Sequence, residues 1–151
     1  MASPRDYKNT IVPNWCPGCG DYGIQNAISA VCAKKGWANE EITLISGGYQ
    51  YCYGAHTTHG RALPFAQGIK CANKDTHLIV CSGDGDSYAI GLGHAMHAMK
   101  RNMDITYLVF DNQVYGLTKG QTSPASSKGF VTKTTPDGNP RPWPLPPAPP
   151  S

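Results

Sequence analysis

The sequence predicts an α/β fold built on a parallel sheet. Three observations lead to the sheet. Runs such as Leu78-Ile79-Val80-Cys81 are apolar throughout, which marks strands covered on both faces. Stretches with helical apolar spacing lie between such runs. Seventeen glycines against only 15% charged residues suit buried strands joined by tight loops. Strands alternating with helices of this length form βαβ units.

The elements follow in order. Asp21 to Lys35 places Ile24, Ala27, Ile28 and Val31 at helical spacing, and Gly36 stands where a C-terminal cap belongs. Glu41 to Ser46 is a short β-prone run. After a glycine- and tyrosine-rich loop, Arg61 to Asn73 reads as a helix whose first turn accommodates Pro64. Thr76 to Ser82 is a buried strand. Ser87 to Arg101 is helical, with Leu92, Ala95, Met96 and Met99 on one side, and Asp104 to Phe110 is the next buried strand.

A chain of 151 residues gives one ordinary domain, placed at 9–135. Eight of the 13 prolines lie between Pro136 and Pro150, and proline supplies no backbone donor to a helix or central strand. The segment 136–151 is therefore expected to be an extended, disordered tail. A net charge of +3, evenly spread, argues against a nucleic-acid partner. No run nears the length of a membrane span, and Met1 to Lys8 lacks the apolar core of a signal peptide. A cytoplasmic location is expected, with the six cysteines as thiols or metal ligands rather than a disulfide frame.

Two loops carry the strongest chemistry. Gly83-Asp84-Gly85-Asp86 follows one buried strand, and Asp111-Asn112-Gln113-Val114-Tyr115-Gly116 follows the next. In a βαβ unit both leave at the carboxyl edge of the sheet, where open α/β sheets bind ligands. The glycines let backbone amides approach a phosphate, with a helix start behind them. Asp84 would repel bare phosphate, so a cation must intervene. Magnesium wants oxygen ligands and shares phosphate oxygens with one or two protein groups. Asp84 offers a carboxylate, Asn112 an amide oxygen and Val114 a main-chain carbonyl. A Gly-Asp-Gly alone is an ordinary turn; Asn112, with 26 residues separating it from Gly85, makes the pair informative. Apart from these, Cys16-Pro17-Gly18-Cys19 has the gap that lets two thiolates share one centre, which can be zinc, a redox dithiol or an iron–sulfur cluster. Cys32, Cys71 and Cys81 read as core residues.

Gly-Asp-Gly followed at this distance by Asn is similar to the thiamine diphosphate motif. More specifically, the chain from Tyr7 to about Pro136 resembles the β subunit of 2-oxoacid:ferredoxin oxidoreductases, particularly the 2-oxoglutarate type. The matching stretches are Asn14-Trp15-Cys16-Pro17-Gly18-Cys19-Gly20, His59-Gly60-Arg61-Ala62-Leu63-Pro64, Gly83 to Asp86, and Asp111 through Gly116 to Leu117-Thr118-Lys119-Gly120-Gln121. The resemblance implies thiamine diphosphate and Mg2+ as cofactors, with Asp84, Asn112 and Val114 on the metal. It further implies that Gly85, Asp86, Gly116 and Leu117 touch the diphosphate, that Lys119 lies by the active site, and that His59 lies near the thiamine or substrate end.

It also implies a [4Fe–4S] cluster on Cys16 and Cys19. Cys52 is the stand-in for the third ligand, two positions later than the family's pattern, and the family's fourth cysteine belongs to a C-terminal part this sequence lacks. A C-terminally truncated subunit with an incomplete ligand set is thus expected. The implied reaction is oxidative decarboxylation of a 2-oxoacid (2-oxoglutarate or pyruvate) to its acyl-coenzyme A, with electrons passed to ferredoxin. The implied partner is the α subunit, which in the family supplies the carboxylate that activates the cofactor. The alternative is a catalytically incompetent fragment that retains cofactor or α-subunit binding.

Overall fold

The computed structural model describes residues 2–46 and 54–140. At its centre is a four-stranded sheet in which every neighbouring pair is parallel. The strands are β1 (Ile42–Ser46), β2 (Gly54–His56), β3 (His77–Gly83) and β4 (Thr106–Phe110), in the order β2-β1-β3-β4. Three of them match the expected strands with ends moved by one or two residues, but β4, expected to be buried, is only half-buried because it lies at the end of the described sheet. The edge strand β2 lies in the stretch read as loop; three residues are too few to show a period of two.

Successive side chains of β3 point to opposite faces, and each face has its own cover. On one, α1 (Asp21–Lys35) brings Ile28 and Cys32 against Ile42, Leu44, Ile79 and Cys81. On the other, α2 (Ala62–Ala72) and α3 (Leu92–Lys100) bring Ala62, Leu63, Ala66, Ala95 and Ala98 against Ile45, Leu78 and Val80. That double burial is why the strand has no polar alternation. Each large apolar side chain so enclosed contributes about 1.5–3 kcal/mol.

Gly36 caps α1 in the left-handed region, as expected. The buried stripe of α1 is rotated from the expected one: Gln25, Ile28, Ser29 and Cys32 face inward, while Val31 is exposed. The cause lies upstream. A 3-10 turn, Pro4–Tyr7, packs on α1, and the Tyr7 hydroxyl donates to the carbonyls of Trp37 (2.6 Å) and Cys32 (3.3 Å). Tyr7 is buried, so packing begins before residue 9. In α3 the inward residues are Ala95 and Ala98, and Met96 and Met99 are exposed.

The helix expected from Ser87 opens instead with a π turn, Asp86–Ile90, closed by the Gly91 N–H on the Asp86 carbonyl at 2.9 Å. Packing also continues beyond Thr135. Asn139 is buried, exchanges main-chain bonds with Gly129 (2.8 Å) and Phe130 (2.9 Å), and donates its amide to the Ser126 carbonyl at 2.9 Å. The rest of the proline-rich segment, from residue 141, lies outside the described residues. Among the described residues no helix is long and apolar enough to cross a membrane.

Candidate cofactor site

β3 and β4 run in parallel with Gly83 opposite Phe110, so the Asp84 and Asp111 loops leave the same edge of the sheet side by side. After β4 the chain makes two Asx turns: Asp111 Oδ1 accepts from the Gln113 N–H (3.0 Å) and Asn112 Oδ1 from the Val114 N–H (3.1 Å). These hold Gln113 at φ 60°, a conformation few non-glycine residues adopt. Val114 then enters a small antiparallel hairpin, β5 (Val114–Tyr115) with β6 (Gln121–Thr122).

The hairpin is fastened to the Asp84 loop at two points. The Tyr115 hydroxyl donates to the Gly85 carbonyl at 3.3 Å. Ser123, directly after β6, donates its hydroxyl to Asp84 Oδ2. Ser126 closes the base, donating to the Gln113 carbonyl at 2.5 Å and accepting from the Ser123 N–H at 2.8 Å. Ser123, Ser126 and Asn139 are all buried, and sequence reasoning missed them. The one available signal was a stretch dense in small hydroxyl residues, Ser123-Pro124-Ala125-Ser126-Ser127.

Asp84, Asn112 and Val114 thus come to one edge. Their donors are a carboxylate, an amide oxygen and a main-chain carbonyl, an all-oxygen set that fits magnesium. Burial first, and then the charges of Asp84 and Asp86, push the Tyr115 phenol above its ordinary pKa. Burial followed by Asp111 and Asp84 does the same to Tyr88.

The diphosphate contacts divide differently. A Cβ on Gly85 would stand 2.2 Å from Tyr115 Cε1, so the close approach that demands glycine here is that of a tyrosine ring. Gly116 borders Asn112, whose Nδ2 would lie 3.8 Å from an added Cβ. The Leu117 side chain is fully exposed. Lys119 is exposed on the same turn at φ 80°.

The Asp86 carboxylate is turned inward, away from the role given to it. It is buried, accepts from the Ser82 hydroxyl and from the Gly60 N–H (2.5 Å), and pairs with His59 Nδ1 at 2.8 Å. His59 is brought beside the site, its ring 6.2 Å from that of Tyr115.

Cys16 and Cys19 share a turn closed by the Cys19 N–H on the Cys16 carbonyl at 3.0 Å. Gly18, at φ 79°, fills the position where a Pro-Gly turn of type II needs positive φ. Cys16 is exposed and Cys19 half-buried. Cys52 lies outside the described residues. Among the described residues no three His, Cys, Asp or Glu side chains gather to hold a metal ion; two thiolates do not make a four-ligand cluster site. Cys32 and Cys81 are buried as expected, and burial raises the Cys32 thiol above its ordinary pKa. Cys71 is exposed, against expectation. The inward stripe of α2 is Leu63, Ala66 and Lys70 instead, with the lysine ammonium donating to the Thr76 carbonyl at 2.8 Å.

A parallel sheet with oxygen donors from two loops at one edge defines a class, and comparison with known proteins gives its family. Residues 22–148 match the family of thiamine pyrophosphate enzymes in their C-terminal TPP binding domain, and the chain belongs to that family. Within it, the sequence is similar to β subunits of the 2-oxoacid:ferredoxin oxidoreductases, those of 2-oxoglutarate type among them. It is 44% identical over 143 residues to 2-oxoglutarate oxidoreductase subunit KorB of Mycobacterium tuberculosis, covering 89% of this chain and 38% of that one. It is 45% identical over 136 residues to the 2-oxoacid:ferredoxin oxidoreductase subunit beta of Saccharolobus solfataricus, covering 83% and 45%.

Among solved structures, a 2-oxoglutarate:ferredoxin oxidoreductase from Magnetococcus marinus, with 2-oxoglutarate, coenzyme A and succinyl-CoA bound, superposes with a TM-score of 0.89 at 39% identity. The match covers 94% of this chain and 52% of that one. The chain therefore spans about half the length of the relatives it matches.

Proposed function

We propose that this chain is the thiamine diphosphate-binding part of the β subunit of a 2-oxoacid:ferredoxin oxidoreductase. It works with an α subunit to convert a 2-oxoacid, 2-oxoglutarate foremost, to its acyl-coenzyme A, with electrons leaving to ferredoxin. The observation that carries this is the joining of two loops at one sheet edge, Asp84 through Ser123 and Gly85 through Tyr115, with an all-oxygen donor set between them.

When bound, thiamine diphosphate supplies the nucleophilic carbon for the keto group and an acceptor for the electron pair left by carbon dioxide. This chain's residues anchor and orient. Asp84, Asn112 Oδ1 and the Val114 carbonyl hold Mg2+. The main chain of Gly85, Asp86, Gly116 and Leu117 faces the diphosphate. Lys119 adds positive charge on the same turn. Cys16 and Cys19 contribute two thiolates toward a [4Fe–4S] cluster.

Calorimetry with thiamine diphosphate, with and without Mg2+, tests the site. Wild type binds only with the metal. Asp84→Asn retains an acceptor for Ser123 yet loses the charge, and Asn112→Ala loses the amide oxygen; both abolish binding while the circular dichroism spectrum is unchanged. Equal binding without metal, or by Asp84→Asn, refutes the assignment. That no third metal-ligating side chain gathers with Cys16 and Cys19 among the described residues favours a second reading, a unit that binds cofactor or α subunit without turnover of its own. Iron and sulfide content after reconstitution decides between the two: about four irons per chain, the count of one [4Fe–4S] cluster, supports the enzyme, and none supports the second reading.

A further inference from the structure

We propose that Asp86 is a positioning residue that holds His59 with its proton on Nδ1 and presents a bare Nε2 to the cofactor site; this rests on the reading of that site given above. The Asp86 carboxylate is 5% exposed, and donors meet both its oxygens. Oδ1 takes the Gly60 N–H and faces His59 Nδ1 at 2.8 Å; Oδ2 takes the Ser82 hydroxyl. A carboxylate receiving donors on both oxygens acts as acceptor only, so the ring nitrogen facing it is the one that bears hydrogen. In the neutral imidazole the other nitrogen, Nε2, is then an acceptor.

The geometry fixes the ring as well as its tautomer. Gly60, bonded to the same oxygen, is the next residue in the chain, so backbone and side chain of this loop are gripped together. The grip comes from the helical turn after β3, where the π bond from Gly91 to Asp86 begins. The His59 side chain is 42% exposed, and its ring lies near Tyr115, the residue that seals the hairpin to Gly85. Nε2 is thus an acceptor on the rim between the two loops, able to hold a proton or hydrogen bond from a ligand there. This explains why an acidic residue beside a diphosphate site is buried and bonded on both oxygens.

The test begins with the chain alone. In a sample carrying 15N-labelled histidine, the long-range ring spectrum of His59 is expected to show the Nδ1–H pattern, and Asp86→Asn to shift it toward Nε2–H. Diethyl pyrocarbonate, which attacks an unprotonated ring nitrogen, should label His59 in wild type about 10-fold faster than in Asp86→Asn, the low end of the cost of losing such an outer partner. His56, His77, His94 and His97 serve as internal references. An Nε2–H pattern in wild type, or no change on Asp86→Asn, overturns the proposal. The wild-type spectrum still decides if the variant does not fold.

A second arm uses the subunit assembled with its α subunit. Asp86→Asn and His59→Gln should each lower kcat about 10- to 100-fold, with KM for 2-oxoglutarate and affinity for thiamine diphosphate held, and the double variant should lose no more than either single one. Unchanged kcat, or additive losses, overturns the role. The ring spectrum needs no cofactor, so its failure is separate from a failure of wild type to bind thiamine diphosphate with Mg2+.

Discussion

Gly85→Ala puts the packing of the two loops to a quantitative test. The new Cβ would lie 2.2, 2.5 and 2.9 Å from Tyr115 Cε1, Cζ and Cδ1, far inside contact distance. The ring must retreat by about an ångström to reach ordinary carbon contact near 3.5 Å, and the hydrogen bond from its hydroxyl to the Gly85 carbonyl goes with it. Overpacking of this kind costs about 1–3 kcal/mol and the lost bond about 0.5–1.5 kcal/mol. Alanine returns up to about 1 kcal/mol through its better helical propensity, because residue 85 lies in a helical turn. The net loss is about 0.5–4.5 kcal/mol, read as a lower urea midpoint at constant slope. Gly83→Ala is the control: its Cβ would meet only the Phe110 carbonyl at 4.0 Å, and its stability should stay within about 0.5 kcal/mol of wild type. Tyr115→Ala in the Gly85→Ala background removes the collision, so the double variant should be more stable than the sum of the single effects by about 1 kcal/mol or more. Equal midpoints for Gly83→Ala and Gly85→Ala would refute the contact.

Other outcomes follow from burial and charge. Iodoacetamide should label Cys16, Cys19 and Cys71 in the native protein and spare Cys32 and Cys81 until unfolding, as peptide mapping would show. Lys70→Ala removes a buried donor to the Thr76 carbonyl and should cost about 1–3 kcal/mol in urea, whereas Asp104→Ala, whose carboxylate is 92% exposed, should leave the midpoint unchanged. Burial chiefly raises the Tyr107 phenol above its ordinary value; a raised pKa means stability is present below the unfolded value of about 10 and lost as pH rises through the folded one. Tyr107→Phe should therefore flatten the alkaline loss seen in urea midpoints measured across that range.

How much of this was legible follows from the physics of each feature. β3 was readable because burial on both faces leaves a composition signal, β4 because its run is β-prone although it is only half-buried, and the meeting of the Asp84 and Asp111 loops because neighbouring parallel strands deliver both to one edge. β2 was not, since it is a three-residue edge strand. The inward stripe of α1 misled because the expectation counted apolar residues, whereas Gln25 and Ser29 are turned inward by the packing of Tyr7. Cys71 misled for a related reason: a lysine whose ammonium can reach a carbonyl and a carboxylate displaced a thiol from the core stripe. The serines of the hairpin carry a signal only in three dimensions, since Ser123 meets Asp84 across 39 positions.

The π turn shows why the role of Asp86 escaped a reading by motif. In a regular α-helix beginning at this loop, the bond to the Asp86 carbonyl would come from Ile90, four residues on. Here it comes from Gly91, five residues on, and one residue is added to the turn. A Cβ at 91 would sit 2.4 Å from that carbonyl oxygen, so the wide turn depends on glycine there. The extra residue changes the direction of every side chain before it relative to α3, and Asp86 is found buried against Ser82 and Gly60 rather than facing the edge that Asp84 occupies. Two aspartates two positions apart thus meet different partners, one the Ser123 hydroxyl and one a histidine. A motif written as Gly-Asp-Gly-Asp treats them as a pair; two positions along a helical turn, about 200° of rotation, separate them.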